Sequence, residues 1–477
     1  MYQENAWKKY SGESLDKLMQ FNEDYKKYLS DSKTERLCVK NAIAICEANG
    51  FKELSTFETL KPGDKVYATN RSKNIAAFII GDDSIQNGLA VLGAHIDSPR
   101  IDLKQNPLYE SDNFAYLDTH YYGGIIKYQW VATPLALYGV VVKKDGTIVD
   151  IAIGDDENDP VVGITDLLPH LSGDKMGKPA AKVIEGEALD VMIGSMPLQG
   201  EEKESAKETI VKLLKEKYDI EEEDFVSAEI EVVPAGKARD FGLDRSMVAG
   251  YGHDDRVCAY TSLMALIDSP KTKRTTCAVL VDKEEVGSNG ATGAHSSWFE
   301  NVIAEMIALT EDYNDLKLRR ALSNSVMLSS DVSAALDPLY AYVSERRNTA
   351  MLGRGICFNK YTGSRGKGGC NDAQPEFIAK IRQIMDEDGV NYQTGELGKV
   401  DQGGGGTIAY ILANLNMNVI DAGVADGTGA MRHPRAAIHQ CARNQTASSR
   451  AAAFGPNAQP EQKARCLPWC AAEHLAW

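Results

Sequence analysis

The sequence predicts an α/β protein, a central sheet flanked by helices and interrupted by an inserted β-rich domain. Three observations carry that class. Apolar runs of strand length alternate with segments of helical period; several of those runs end in His, Asp or Glu; and the character of the chain changes between about 104 and 242. At 477 residues the chain also exceeds one simple core, so two or more structural units are expected.

Residues 13 to about 50 have apolar positions at helical spacing, and "SDSKTERLCVKNAIAICEANGF" reads as a capped helix ending at Gly50. Strands follow in "KVYATN", "NIAAFIIG" and "LAVLGAHID". The β-rich "YQWVATPLALYGVVVKKDGTIVDIAIG" and the charged helix "EEKESAKETIVKLLKEKYDIEEED" belong to the insertion. From "RSMVAGYGHDDR" onward helices again alternate with short apolar runs, the pattern of a parallel sheet wrapped by helices. The expected division is 1–103 and 243–423 for one discontinuous domain, 104–242 for the insertion and 424–477 for an atypical tail. That tail is crowded with Ala, Arg and Gln and has little with which to build a packed helix.

Composition excludes several functions. A net charge of -16 argues against nucleic acid and anionic membrane surfaces, which need concentrated Lys and Arg. No apolar run approaches the roughly 18 residues of a membrane span. The start of the chain lacks a secretory pattern, so the expected location is cytoplasmic. Nine cysteines without CxxC pairing suggest reduced, buried thiols rather than a zinc ribbon or a disulfide framework.

The chemistry lies at the ends of the apolar runs. "GAHIDSPR" supplies His95 and Asp97, "GYGHDDR" supplies Asp254 and Asp255, "CAVLVDKEEVGS" supplies Glu284 and Glu285, "SNSVMLSSDVS" supplies Asp331 and "MNVIDAG" supplies Asp421. Ligands of open α/β sheets bind beyond the carboxyl ends of strands, so residues distant in sequence can converge there. Taken alone, an acid after a strand caps a helix or sits solvated in a loop. Taken together, closely spaced carboxylates beside a histidine need a cation, and zinc accepts both donor types. His120 and His170 read as structural or hydrogen-bonding residues, and His295 as a surface residue of a helix. The glycine-rich "DQGGGGT" lacks the lysine of a phosphate loop and reads as backbone placed close to a substrate.

In order and wording, "HIDSPR", "HDDR", "EEVGS" and "SSDVS" resemble the M18 family of metalloaminopeptidases, within the dinuclear zinc exopeptidases, from the N-terminal helices to about Val424. The resemblance implies a mixed central sheet carrying the catalytic site, an inserted oligomerisation domain, a homo-oligomer of tetrahedral dodecamer type, and removal of N-terminal residues from peptides with a free amine. It implies two Zn2+ per subunit, with Co2+ or Mn2+ as substitutes. By position it makes His95, Glu285 and Asp331 zinc ligands, Asp254 the bridging carboxylate, Asp97 the acid that orients His95, and Glu284 the general base. It also implies a preference for acidic N-terminal residues in one branch, which Lys360, Arg365 and Lys367 could meet.

The chain departs from the family at its end. After "DAGV" the family continues through a short apolar strand to Met-His, the last zinc ligand, and then a closing helix. Here "ADGTGAMRHPRAAIHQ" follows, and the candidate ligand His433 stands between Arg432 and Pro434. The pattern reads as loss of the native frame near Val424. Two rival functions stay open: a related metal-dependent amidohydrolase or deacylase, and a metal-binding assembly protein impaired by its tail.

Overall fold

In a computed structural model, residues 4–198, 200, 205–269 and 272–427 are described. Among them the chain forms two compact units, one made of the segment up to Asp97 and the segment from Arg239, the other of Ser98–Ala238.

The first unit opens with α1 (Glu13–Asp31) and α2 (Glu35–Ala48). Thr34 caps α2 by accepting from the Leu37 amide, and the buried stripe Cys38, Val39, Ala42 and Cys46 follows helical spacing. The helix stops at Asn49, and Gly50 at φ 83° turns the chain away. Its expected end at Gly50 is therefore met within two residues.

A nine-stranded sheet forms the centre of this unit. Its strands are β1 (Lys52–Glu53), β2 (Lys65–Asn70), β3 (Asn74–Ile79), β4 (Ala90–His95), β5 (Thr276–Val281), β6 (Val326–Ser329), β7 (Ile356–Asn359), β8 (Tyr392–Thr394) and β9 (Asn418–Gly423). They lie in the order β1-β2-β3-β5-β4-β6-β9-β7-β8. The middle four, β5, β4, β6 and β9, are parallel. The hairpin β2-β3 runs antiparallel, as do the pairs β3-β5 and β9-β7. The sheet is thus mixed: the middle four strands are parallel as expected, and the edge pairs β1-β2 and β7-β8 are parallel as well.

Those four strands are buried on both faces, which is why they read as continuous apolar runs. Val91, Val279, Met327 and Val419 pack with Phe299, Ile303 and Met306 of α4 (Trp298–Thr310) on one side. Leu92, Leu328 and Ile420 pack with Phe377, Ile381 and Ile384 of a helix at Pro375–Glu387 on the other. Alternation along each strand sends neighbours to opposite layers. Each such buried side chain contributes about 1.5–3 kcal/mol, which offsets the cost of gathering acids at the strand ends. A further helix, α3 (His253–Ile267), receives α1 through Tyr25 and Tyr28, whose rings stand 5.5 and 4.9 Å from Tyr260.

The second unit is a six-stranded antiparallel sheet in the order Ile148–Ile153, Leu135–Val142, Ala228–Pro234, Arg100–Ser111, Phe114–Tyr122 and Val191–Gly194. Asp112 and Asn113, at φ 49° and 67°, make the two-residue turn between its two longest strands. Its core holds Ile101, Leu117, Leu137, Val141, Ile230 and Val232, with Ile210, Val211 and Leu214 of the helix Ser205–Tyr218 packed against it.

Two local expectations are corrected. His295 lies in an exposed turn before α4, because the Gly, Ser and Asn of "SNGATGAHSS" favour turns and the helix begins only at Trp298. A strand does follow Val424: Ala425–Gly427 pairs in parallel with Ser333–Ala335, since backbone pairing needs no apolar side chains. His433 lies outside the described residues.

Candidate metal centre

The candidate site stands at the carboxyl ends of the four parallel strands. β4 ends in His95 and leads to Asp97. β5 leads through Asp282 to a single turn at Glu284–Val286. β6 leads to Asp331, and β9 carries Asp421. α3 adds His253, Asp254 and Asp255 at its start, where Asp254 and Asp255 leave helical angles and are joined by a cis peptide bond. One glycine is dictated by this crowding: a Cβ on Gly423 would lie 1.5 Å from the Asp331 carbonyl oxygen.

Donor atoms of His95, Asp254 and Asp331 lie within 4.8 Å of one another. His95 Nε2 is buried without a hydrogen bond, 3.3 Å from Asp254 Oδ1 and 3.9 Å from Glu284 Oε2. Its Nδ1 faces Asp97, 3.0 Å from the carbonyl oxygen and 3.2 Å from Oδ1. The same carboxylate accepts from the Glu284 amide at 3.1 Å and the Glu285 amide at 3.2 Å. Asp97 therefore joins the histidine to the acid pair.

Electrostatics match a cation site. Burial opposes the charged form of His95, yet Asp254, Asp97, Glu284 and Asp331 hold its pKa well above the ordinary value. Burial, then the Asp254 carboxylate, pushes Asp331 and Glu285 well up. Glu284 is pushed up to about 7, first by burial, with His95 opposing and Asp254, Asp97 and Asp421 adding to the rise. A bare buried nitrogen facing crowded carboxylates fits zinc, which takes imidazole nitrogen and carboxylate oxygen.

Asp255 is already a candidate from "GYGHDDR"; two further participants, Asp282 and Thr407, are not singled out by spacing. Asp255 is fully buried and accepts from the His95 amide at 3.4 Å, whereas Asp254 turns its carboxylate to the imidazole. Asp282 is fully buried and receives the Thr292 hydroxyl at 2.6 Å. Thr407, at the end of the glycine-rich segment, donates to Asp421 Oδ1 at 2.7 Å. The only sequence signal for Asp282 and Thr407 is a hydroxyl and a strand-ending acid in the same part of the chain. Elsewhere His295 Nε2 stands 3.0 Å from the Tyr410 hydroxyl, and His120 Nδ1 lies 2.8 Å from the Tyr121 carbonyl oxygen. Both are exposed, as is His170. Lys360 and Lys367 are paired with Asp372 at 2.8 and 2.9 Å.

Over residues 28–447 the sequence matches the family described as Aminopeptidase I zinc metalloprotease (M18). The chain belongs to the M18 aminopeptidases. It is 60% identical over 426 residues to a probable M18 family aminopeptidase 1 of Clostridium acetobutylicum, covering 88% of this chain and 92% of the relative. The crystal structure of an M18 aminopeptidase from Thermotoga maritima superposes with a TM-score of 0.90 at 42% identity, covering 95% of this chain and 99% of that one. A dodecamer of mApe1 from S. cerevisiae shares the fold, with a TM-score of 0.71 at 19% identity over 90% of this chain and 94% of that one. As an M18 aminopeptidase the chain is a zinc metalloprotease, a hydrolase of peptide bonds.

Proposed function

We propose that this M18 aminopeptidase removes N-terminal residues through a two-zinc site with Glu284 as general base. The observation that supports it most is the bare, buried His95 Nε2 beside Asp254, with Glu284 Oε2 at 3.9 Å. His95, Glu285 and Asp331 would each hold one ion, and Asp254 would be the carboxylate shared between them. His433 is the candidate for the remaining donor. Zinc in this site supplies Lewis acidity toward the attacking water and the scissile carbonyl.

Glu284 takes the proton from that water and returns it to the leaving amine. In the metal-free protein burial pushes this carboxylate up to about 7, and bound zinc would draw it back down toward the ionised form that accepts a proton. Asp97 keeps His95 Nδ1 engaged, so that Nε2 faces the ion. Asp255 fixes the backbone of His95 from below. Asp254 rather than Asp255 is the bridge because its carboxylate is the one facing the imidazole.

The remaining assignments follow from the same reading. The unit Ser98–Ala238 is the oligomerisation domain, and its exposed Leu168, Leu171 and Met176 support self-association into a homo-oligomer of dodecameric type. Buried thiols at Cys38, Cys46, Cys258, Cys277 and Cys357 support a reducing, cytoplasmic setting. Among the described residues no helix is long and apolar enough to cross a membrane. Co2+ and Mn2+ are candidate substitutes for zinc.

The test is metal content per chain on protein purified without chelator, paired with a panel of aminoacyl substrates in free and N-capped form. About two zinc ions per chain and turnover of free-amine substrates alone are expected. Turnover of capped substrates would move the chain to the deacylase reading. A His433→Ala variant with unchanged zinc content removes His433 from the site.

A further inference from the structure

Glu284 and Glu285 sit on a loop whose two ends are joined. At one end Asp282 is fully buried, and its Oδ2 accepts from Thr292 Oγ1 at 2.6 Å. Asp282 also pairs its backbone in parallel with Gly293 at the other end. Asn74, buried on β3, donates from Nδ2 to the Thr292 carbonyl at 2.6 Å. Asn70 on the preceding strand donates in the same way to the Ala291 carbonyl at 2.7 Å.

Between those ends the loop folds on itself. Lys283 and Gly287, at φ 70° and 92°, turn the chain on either side of the acid pair. The Ser288 amide donates to the Lys283 carbonyl at 2.6 Å, and the His295 amide to the Ser288 carbonyl at 3.2 Å. A Cβ on Gly293 would lie 2.0 Å from the Ser288 carbonyl oxygen, so the closed loop leaves room only for glycine. A compact loop with joined ends takes its shape from the closure, not from the strand that leads into it.

The closure is selective in its chemistry. Asp282 Oδ1 makes no hydrogen bond, so the Thr292 hydroxyl is what satisfies this buried carboxylate. The Thr292 carbonyl is held separately, by a strand of the sheet. One residue therefore ties the far end of the loop both to β5 and to β3.

We propose that Thr292 is a positioning residue, whose hydroxyl on Asp282 and carbonyl on Asn74 set where the loop presents Glu284 and Glu285. The inference rests on the reading of Glu284 as base and Glu285 as zinc ligand. Thr292→Val keeps the shape of the side chain and removes the hydroxyl; Thr292→Ser keeps the hydroxyl and removes the methyl group.

Both variants and Glu284→Gln are made in the full-length protein. Zinc affinity is read by chelator competition, kcat and KM on a free-amine substrate, and folding by thermal midpoint. Thr292→Val is expected to lower zinc affinity and kcat by about 10- to 100-fold each with KM little changed, and Thr292→Ser to restore both. Wild-type zinc affinity and kcat in Thr292→Val overturn the inference, as does a loss in Thr292→Ser equal to that in Thr292→Val. If Thr292→Val does not fold, Asn74→Ala is read by the same assays: the same split supports the assignment, and wild-type values overturn it. Full turnover by Glu284→Gln removes the base reading itself, whereas an inactive Glu284→Gln beside a wild-type Thr292→Val removes only the role of Thr292.

Discussion

Asp97 Oδ1 stands 3.1 Å from the Glu284 amide nitrogen and 3.2 Å from His95 Nδ1. One buried carboxylate oxygen thus answers to the histidine at the end of β4 and to the loop beyond β5. Its second oxygen accepts from the Glu285 amide at 3.2 Å. A carboxylate can accept at both oxygens, but an amide cannot, because one of its two positions carries N–H groups that would face another donor. Asp97→Asn is therefore expected to lower zinc affinity or activity by about 10- to 100-fold. Chelator competition and kcat measured on the same preparation check this, and unchanged values for both would remove Asp97 from the positioning role.

Glu284 offers a different separation. It is assigned to proton transfer and not to a metal, so Glu284→Gln is expected to keep its zinc while kcat falls by about 10²- to 10⁴-fold. Elemental analysis beside steady-state kinetics reads both quantities. A variant that loses zinc in proportion to activity would make Glu284 a ligand.

The central part of the fold was legible because β4, β5, β6 and β9 are buried on both faces, so "LAVLGAH" and "CAVLV" carry no alternation that could be confused with a half-exposed strand. The acids that end these runs stood out because ionisable groups break an apolar run, although His95, Asp97, Asp282 and Asp421 are themselves buried. Strand direction was less legible. The pattern of "NIAAFIIG" is equally apolar whether β3 runs with or against β5, and the register running from Thr276 opposite Ile79 to Leu280 opposite Ile75 makes it antiparallel.

Within the site, adjacent identical residues marked the limit. Asp254 and Asp255 differ only in which way the backbone turns them, and one faces His95 Nε2 while the other lies fully buried against the His95 amide. Asp282 reads as one more strand-ending acid, and its partner Thr292 is ten residues further on, across a loop whose closure has no periodic signal. The placement of His295 failed for a related reason: turn residues and helix residues adjoin there, and Trp298 was not recognisable as the first helical position.

Protonation supplies a prediction for the metal-free protein. Glu284, Asp421 and Asp282 are each pushed up to about 7, foremost by burial. A raised carboxylate binds its proton more tightly in the folded state than in the unfolded one, so its contribution is greatest below the unfolded value and is lost as pH rises from the ordinary carboxylate range to about 7. His95, whose pKa is also raised, acts in the same direction: its contribution is present below the ordinary imidazole value and is lost through its higher folded value. Chelator-treated protein is expected to have a lower thermal midpoint at about pH 8 than at about pH 5. Zinc should narrow that gap by binding the deprotonated groups and releasing protons. Calorimetry in buffers of different ionisation enthalpy measures that release, and zinc binding without it would show that these carboxylates are already ionised.

A last prediction concerns the support beneath the acid-bearing loop. Lys73 Nζ stands 3.2 Å from Glu35 Oε1, with both side chains buried, and Glu35 in turn raises the pKa of Asp282. Glu35 is the first residue of α2, so this ion pair anchors a helix start to the strand edge that carries Asn74. Replacing Lys73 by Met removes one buried cation from Glu35, which stays near a second acid, and is expected to cost about 3–5 kcal/mol of stability. Pairing Lys73→Met with Glu35→Leu removes both charges together and should recover most of that loss, because an apolar pair of similar volume carries no desolvation penalty. Denaturant unfolding of the two single variants and the double variant, all in the zinc-loaded protein, closes the cycle. A neutral Lys73→Met would show that water or rearrangement meets the needs of Glu35. A double variant no more stable than Lys73→Met would show that the loss came from packing of the lysine stem and not from its charge.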